Sequence, residues 1–201
     1  MSPKNFILIF YLRFFKMNKN IILVTGGARS GKSTFAQKYA SSVGSKIAYL
    51  ATARILDEEM KDRVERHIKS RPSEWVTFEC PENTELVLDK INYDFDTIIF
   101  DCVTLYLTNL LLSPSNPKDK FERQEVIFKK IDLLLETALN LQSTIIFVAN
   151  EVGLGIVPDN SLAREFRDLA GIINQKIAKI AAEVYLVTSG IPIDIKKLAQ
   201  K

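Results

Sequence analysis

Short runs of apolar, often β-branched residues alternate along the chain with longer segments whose apolar positions recur every three or four residues. The short runs predict strands and the longer segments predict helices. This alternation is typical of a parallel sheet covered by crossover helices, so we predict an α/β fold. The predicted strands are 21–25, 46–52, 97–101, 144–150 and 183–188.

Four helices are predicted between these strands, at 32–42, 57–69, 118–141 and 161–182. Gly44 is expected to end the first of them, and Asn160 is expected to cap the last. The second has acidic residues in its first turn and basic residues in its last, which agrees with the helix dipole. Its apolar residues predict a buried stripe at every fourth position, formed by Leu56, Met60, Val64 and Ile68.

Composition supports one domain. The 201 residues are 47% hydrophobic and 25% charged, which is enough to form a single core. The net charge is only +3 and the basic residues alternate with acids, so a nucleic-acid-binding surface is not expected.

The two cysteines, Cys80 and Cys102, lack the C-x-x-C spacing of zinc and redox sites. We predict buried thiols in a reduced, cytoplasmic protein.

The first twenty residues lie before the first predicted strand. An apolar run at 6–11 is too short to span a bilayer, and no signal-peptide cleavage site follows it. Met17 is a second possible start. We therefore expect 1–20 to be an N-terminal extension, with 1–16 dispensable, and 21–201 to be the functional domain; membrane association of the extension is the alternative.

A glycine-rich segment between the first strand and the first helix carries the strongest motif. It matches G-x-x-x-x-G-K-[ST], and its members are Gly26, Gly27, Ala28, Arg29, Ser30, Gly31, Lys32 and Ser33. Such a loop turns its backbone amides toward phosphate oxygens, and the following helix presents its positive end. We expect Lys32 to reach the terminal phosphates of ATP or GTP and Ser33 to ligate Mg²⁺. Motors, switches, transporters and kinases share this loop, so it does not define the reaction.

Phosphoryl transfer also requires a carboxylate near the metal. Asp101 ends the apolar strand at 97–101, and Asn150 and Glu151 end the strand at 144–150. The carboxyl ends of parallel strands meet at one edge of the sheet, where ligands bind. We expect Asp101 to hold Mg²⁺ together with Ser33; an aspartate that only caps the next segment is the alternative.

The single histidine, His67, lies beside the apolar stripe of the second helix. Four cations surround it in sequence: Arg63, Arg66, Lys69 and Arg71. These cations favour the neutral, nucleophilic imidazole and could bind a polyphosphate. On these residues alone, a surface histidine at the basic end of a helix is the simpler interpretation.

Several segments, taken together, resemble the bifunctional adenosylcobinamide kinase and adenosylcobinamide-phosphate guanylyltransferase family of cobalamin biosynthesis. The resemblance extends from residue 21 to residue 196. It rests on the segments 26–33, 49–53, 101–104, 108–111, 150–158, 163–164, 166–168, 170–171, 174–175 and 189–192, and on Arg63, His67 and Arg71-Pro72.

The resemblance implies a P-loop, RecA-like fold and a homotrimer. It also implies two reactions, in which ATP or GTP phosphorylates adenosylcobinamide and His67 then passes GMP from GTP to the adenosylcobinamide phosphate. By the same resemblance, His67 and Lys32 are catalytic. The implied nucleotide contacts are the 26–33 loop, Ala51, Thr52, Ala53, Glu79 and Asp101.

Two other functions remain open at this stage. A different P-loop kinase would use Lys32 and Asp101 but would give His67 no covalent role. A nonenzymatic nucleotide-binding regulator would bind nucleotide without consuming adenosylcobinamide. The choice of ATP or GTP in the first reaction is not predicted, because both present the same triphosphate to the loop.

Overall fold

The architecture rests on one sheet, seen in a computed structural model that describes residues 21–55, 57–69 and 71–199. Its strands are β1 Ile21–Gly26, β2 Ile47–Ala51, β3 Val76–Glu79, β4 Thr97–Asp101, β5 Thr144–Asn150, β6 Glu183–Thr188 and β7 Ile191–Asp194. Their order in the sheet is β3-β2-β4-β5-β1-β6-β7. Neighbouring strands are parallel except β6 and β7, which pair antiparallel.

Helices connect the strands and cover both faces of the sheet. They are α1 Lys32–Val43, α2 Glu58–Lys69, α3 Thr84–Ile91, α4 Val103–Leu111, α5 Lys120–Asn140, α6 Ser161–Ile180 and α7 Ile195–Leu198. One face carries the larger core, to which α3, α4, α5 and α6 contribute. The other face packs against Ala36 and Ala40 of α1. Because both faces are buried, the central strands are continuous apolar runs.

The predicted elements are confirmed at these positions. Every predicted strand is present, with ends that differ by at most one residue, and the four predicted helices differ by one or two residues at their ends. Gly44 ends α1, and the Asn160 side chain accepts hydrogen bonds from the amides of Leu162 and Ala163. Prediction missed β3, β7, α3, α4 and α7. The short edge strand β3 is mostly exposed, and α4 is buried along most of its length, so neither shows a clear periodic pattern.

The stripe predicted on the second helix is wrong as a core stripe. Leu56 lies outside the described residues. Met60 and Val64 are only half-buried, and Ile68 is 47% exposed. Apolar periodicity predicts that a helix has an apolar face, but it does not predict what covers that face.

Both cysteines are buried and unpaired, as predicted. Burial raises the pKa of each thiol to about 11. In the part of the chain that the structure describes, no helix combines the length and apolar character needed to cross a bilayer. The predicted extension at 1–20 lies outside the described residues.

Asp96 fastens the start of β2 to the start of β4. Its carboxylate accepts hydrogen bonds from the Ser45 amide at 2.9 Å, the Ser45 hydroxyl at 2.8 Å and the Lys46 amide at 3.0 Å. Desolvation raises the pKa of Asp96, but the hydrogen bonds together lower it by more than desolvation raises it. The pKa of Asp96 is therefore below its usual value. The ionised carboxylate is therefore the form that stabilises this junction.

We expect Asp96→Asn to lower the free energy of unfolding by about 1 kcal/mol at pH 7, a small value because the side chain is exposed. The folded-state pKa of Asp96 lies below the unfolded one, so this stabilisation is present above about pH 4 and disappears as the pH falls through the folded-state pKa. Urea unfolding at pH 7 and pH 3 measures the effect, with Asp94→Asn as the control. If Asp96→Asn lowered the free energy of unfolding by the same amount at pH 7 and at pH 3, this account would be contradicted.

Candidate nucleotide-binding site

A cleft of about 480 Å³ lies at the carboxyl ends of the central strands. The glycine-rich loop and the first turn of α1 form one side of it. Asp101 and Asn150, at the ends of β4 and β5, also line it, as does one face of α2. This is the position at which open parallel sheets bind ligands.

The glycine-rich loop has the backbone geometry that its sequence predicts. Arg29 has φ 56° and Gly31 has φ 94°, so the chain passes through the left-handed region just before α1 begins. A Cβ at Gly31 would lie 3.2 Å from the Cα of Gly190, and the Gly190 amide donates to the Ser30 carbonyl at 2.9 Å. The turn between β6 and β7 thus packs directly against the loop. The Lys32 ammonium donates to the Gly27 carbonyl at 3.0 Å, which places it across the loop.

Asp101 is held by a tyrosine from the neighbouring strand. The register of β2 and β4 pairs Ala51 with Asp101, and the Tyr49 hydroxyl donates to Oδ2 of Asp101 at 2.5 Å. Burial, and secondly the Asp101 charge, raise the pKa of Tyr49 well above its usual value, against the lowering effect of Arg71. The guanidinium of Arg71 lies 3.5 Å from the centre of the Tyr49 ring. Tyr49 therefore remains a hydrogen-bond donor to the carboxylate at neutral pH.

The segment that follows Asp101 is held by Thr52. The Thr52 hydroxyl donates to the Cys102 carbonyl at 2.8 Å and accepts from the Cys102 amide at 2.7 Å. Asn109 in turn donates to the Thr52 carbonyl at 2.8 Å. Thr52 is completely buried and does not line the cleft, so its side chain supports the end of β4 from within the protein.

His67 lies on the same cleft as Lys32 and Asp101. Met60, Val64, His67 and Arg71 all line the cleft, at spacings of four, three and four residues. The first three lie on α2, and Arg71 follows in the turn after it, where its amide donates to the Ile68 carbonyl. Of the predicted apolar stripe, Met60 and Val64 thus border the cleft instead of the core. Of the cations predicted around His67, Arg71 shares this lining, whereas Nε of Arg66 donates back to the Asp62 carbonyl of its own helix.

The predicted site residues divide into two groups. The cleft is lined by Ala28, Arg29, Ser30, Gly31, Lys32, Ser33, Ala51, Ala53, His67 and Asp101. Four others are outside this lining. Gly26 and Gly27 begin the loop, Thr52 is buried behind it, and Glu79 is exposed at the end of the edge strand β3, where it pairs with Ala51.

Some lining residues were not among the predicted site residues. They are Thr34, Tyr49, Met60, Val64, Cys102 and Leu105; Arg71 and Asn150 also line the cleft, and the sequence indicates them only as a cation near His67 and as the end of a strand. Strand alternation could have identified Tyr49, because it is two residues before Ala51 and therefore on the same face of β2. Helical spacing from His67 could likewise have identified Met60 and Val64.

Comparison with known proteins gives the same picture over most of the chain. The sequence profile of the cobinamide kinase / cobinamide phosphate guanyltransferase family matches residues 22–195. The bifunctional adenosylcobalamin biosynthesis protein CobU of Salmonella typhimurium is 40% identical over 181 residues, and that of Escherichia coli is 42% identical over 182 residues. Each match covers 88% of this chain and 99% of the relative. CobP of Pseudomonas aeruginosa is 38% identical over 174 residues, covering 87% of this chain and 96% of the relative.

A solved structure shares the fold at low sequence identity. An ATPase from the type III secretion system of pathogenic bacteria matches with a TM-score of 0.57 and 12% identity. The match covers 88% of this chain and spans 55% of that ATPase. This likeness and the observed strand order confirm the predicted fold class, a RecA-like P-loop domain with a mostly parallel sheet flanked by helices.

The buried hydroxyl of Thr52 provides a test of how the end of β4 is held. We expect Thr52→Val to lower the free energy of unfolding by about 1–3 kcal/mol, because it leaves the buried amide of Cys102 without its partner, whereas the Cys102 carbonyl still accepts from the Tyr106 amide. Thr52→Ser keeps the hydroxyl and is the matched control. Chemical denaturation of both variants measures the difference; equal stability of the Val and Ser variants would show that the hydroxyl does not hold this segment.

Proposed function

This chain belongs to the cobinamide kinase / cobinamide phosphate guanyltransferase family, and we propose that it performs both reactions at the cleft described above. In the first, ATP or GTP phosphorylates adenosylcobinamide. In the second, GMP passes from GTP through His67 to the new phosphate, giving adenosylcobinamide-GDP and pyrophosphate. The observation that supports this proposal best is that His67 borders the same cleft as Lys32, Ser33 and Asp101.

In the proposed kinase step, the loop amides and Lys32 bind the triphosphate and neutralise charge as it develops. The acceptor hydroxyl attacks the γ-phosphorus. A new P–O bond forms while the bond from the γ-phosphorus to the β,γ-bridging oxygen breaks, and the hydroxyl proton leaves to water. Positioning and electrostatics supply most of the catalysis in such reactions, so the fixed geometry of the loop is its main contribution.

In the proposed guanylyl step, a neutral imidazole nitrogen of His67 attacks the α-phosphorus of GTP. A P–N bond forms, the bond to the α,β-bridging oxygen breaks, and pyrophosphate leaves with the bonding electrons. A phosphate oxygen of the acceptor then attacks the same phosphorus and returns the electron pair to the imidazole. A covalent intermediate divides one difficult displacement into two easier ones.

The proposal assigns Mg²⁺ to Ser33 and Asp101, which border one cleft. Among the described residues, no group of three or more His, Cys, Asp or Glu side chains could hold a metal ion. A nucleotide site does not need such a group, because Mg²⁺ is usually bound by one or two carboxylates together with substrate phosphates and waters. One hydroxyl and one carboxylate beside a phosphate-binding loop therefore fit this ion. When bound, Mg²⁺ would neutralise charge on the phosphates.

We also propose a homotrimer in the cytoplasm. The location is supported by two buried, unpaired thiols, which suit a reducing compartment. The trimer rests on the family resemblance. Sedimentation velocity tests it directly, since a trimer and a monomer of 22.8 kDa subunits separate clearly.

His67→Ala is expected to abolish the transfer of GMP to the protein, because the 201-residue sequence contains no other histidine that could replace this nucleophile. Phosphorylation of adenosylcobinamide should persist, since the kinase step does not use the imidazole. Incubation with GTP labelled in the α-phosphate, followed by intact-protein mass spectrometry, measures the adduct. Glu65→Ala, at an exposed position of the same helix, is the matched control and should label normally. An acid-labile GMP adduct on His67→Ala would refute the assignment.

Lys32→Ala should slow both reactions by on the order of 100-fold, because both proposed transition states place phosphate charge beside this ammonium. The assay supplies adenosylcobinamide, ATP, GTP and Mg²⁺ and identifies the products by mass. Wild-type protein should yield adenosylcobinamide phosphate and adenosylcobinamide-GDP. A P-loop kinase of other specificity would yield neither product, and a nonenzymatic regulator would bind nucleotide without consuming the acceptor.

A further inference from the structure

Three side chains form a connected row beside the cleft: Arg71, Tyr49 and Asp101. The Arg71 guanidinium lies 3.5 Å from the centre of the Tyr49 ring, and the Tyr49 hydroxyl donates to Asp101 at 2.5 Å. The row begins just after the helix that carries His67 and ends at the carboxylate near the glycine-rich loop. The reaction steps described above assign no role to Tyr49.

The position of Tyr49 follows from the strand geometry. Tyr49 pairs with Ile99 in the parallel register of β2 and β4, and Asp101 is two residues further along β4. Two residues of a parallel strand span about 6.6 Å, which is comparable to the length of a tyrosine side chain. The ring is 2% exposed and packs in the core between the sheet and α1, so packing fixes its orientation.

Arg71 connects this ring to two further elements. Its amide donates to the Ile68 carbonyl at the end of α2, and its Nη1 donates to the Thr77 hydroxyl of β3 at 3.1 Å. The Nε atom is buried and has no hydrogen-bond partner within the described residues. A guanidinium held 3.5 Å over a ring is restricted in its orientation, which suits contact with a phosphate.

We propose that Tyr49 is a positioning residue for both transfer steps: its hydroxyl fixes the Asp101 carboxylate, and its ring fixes the Arg71 guanidinium beside the same cleft. This inference rests on the proposed function. It adds that one side chain couples the metal-binding carboxylate to the end of the histidine helix. Loss of the hydroxyl and loss of the ring should therefore have different consequences.

Tyr49→Phe removes only the hydroxyl and keeps the ring under Arg71. We expect about tenfold weaker binding of Mn²⁺, measured by electron paramagnetic resonance in the presence of a non-hydrolysable GTP analogue, since one hydrogen bond to a charged group is lost. The kcat for acceptor phosphorylation should fall by about the same factor. Tyr39→Phe is the matched control, because it removes a hydroxyl that donates at 2.9 Å to Glu183 of β6, a strand separated from β2 by three others, and it should leave both measurements unchanged.

Tyr49→Leu removes the ring as well. We expect it to slow GMP labelling of His67 more than Tyr49→Phe does, and by about as much as Arg71→Ala. The double variant Tyr49→Leu/Arg71→Ala should label no more slowly than Tyr49→Leu alone, because the two residues act as one unit. Thermal unfolding of each variant separates this positioning effect from a general loss of stability.

Unchanged Mn²⁺ affinity in Tyr49→Phe would overturn the role of the hydroxyl, and additive effects in the double variant would overturn the role of the ring. Both outcomes are distinct from failure of the proposed function. If wild-type protein neither phosphorylates adenosylcobinamide nor takes up GMP, the function fails. The Mn²⁺ and nucleotide measurement still decides whether Tyr49 positions Asp101.

Discussion

The parallel register of the four central strands determines which strand-end residues meet in the cleft. It places the end of β2 beside the end of β4, through Ala51 and Asp101, and the end of β1 beside the end of β5, through Gly26 and Asn150. Parallel strands need crossover connections, so each of these ends continues into a loop or helix at the same edge. A shift of one residue would turn Tyr49 to the opposite face of the sheet and separate it from Asp101. The geometry of the site therefore depends more on the register of the strands than on the conformation of any single loop.

The sequence predicts the fold well where physical constraints are local. Central strands buried on both faces appear as continuous apolar runs. Asn160 marks a helix start through its own hydrogen bonds, and Gly44 marks a helix end where a Cβ would clash with Asp96 and Thr97. Prediction is weaker where the constraint is tertiary. The apolar face of α2 was assigned to the core because residue spacing cannot distinguish a core from a cleft, and α4 was missed because burial along most of its length removes the amphipathic pattern.

The residues of the site divide in the same way, into those predictable from local sequence and those that depend on tertiary contacts. The glycine-rich loop is predictable because its motif, the preceding strand and the following helix are contiguous, and Asp101 is predictable from its place at a strand end. The contact between Arg71 and Tyr49 depends on a ring in one strand and a cation after a helix, so no spacing in the sequence indicates it. Resemblance alone suggested Thr52 and Glu79 as nucleotide contacts. The structure places Thr52 behind the cleft wall and Glu79 on the edge strand, and it assigns Thr52 a supporting role.

The packing of Gly190 against Ser30 and Gly31 has a consequence for the order of events during synthesis. The glycine-rich loop is translated before the turn that supports it, because Ser30 and Gly31 precede Gly190 in the sequence. A nascent chain that lacks this turn has no partner for the Ser30 carbonyl and no backbone against Gly31. The backbone contacts of Ser30 and Gly31 with Gly190 therefore form only after the turn between β6 and β7 has been translated and has packed against the loop.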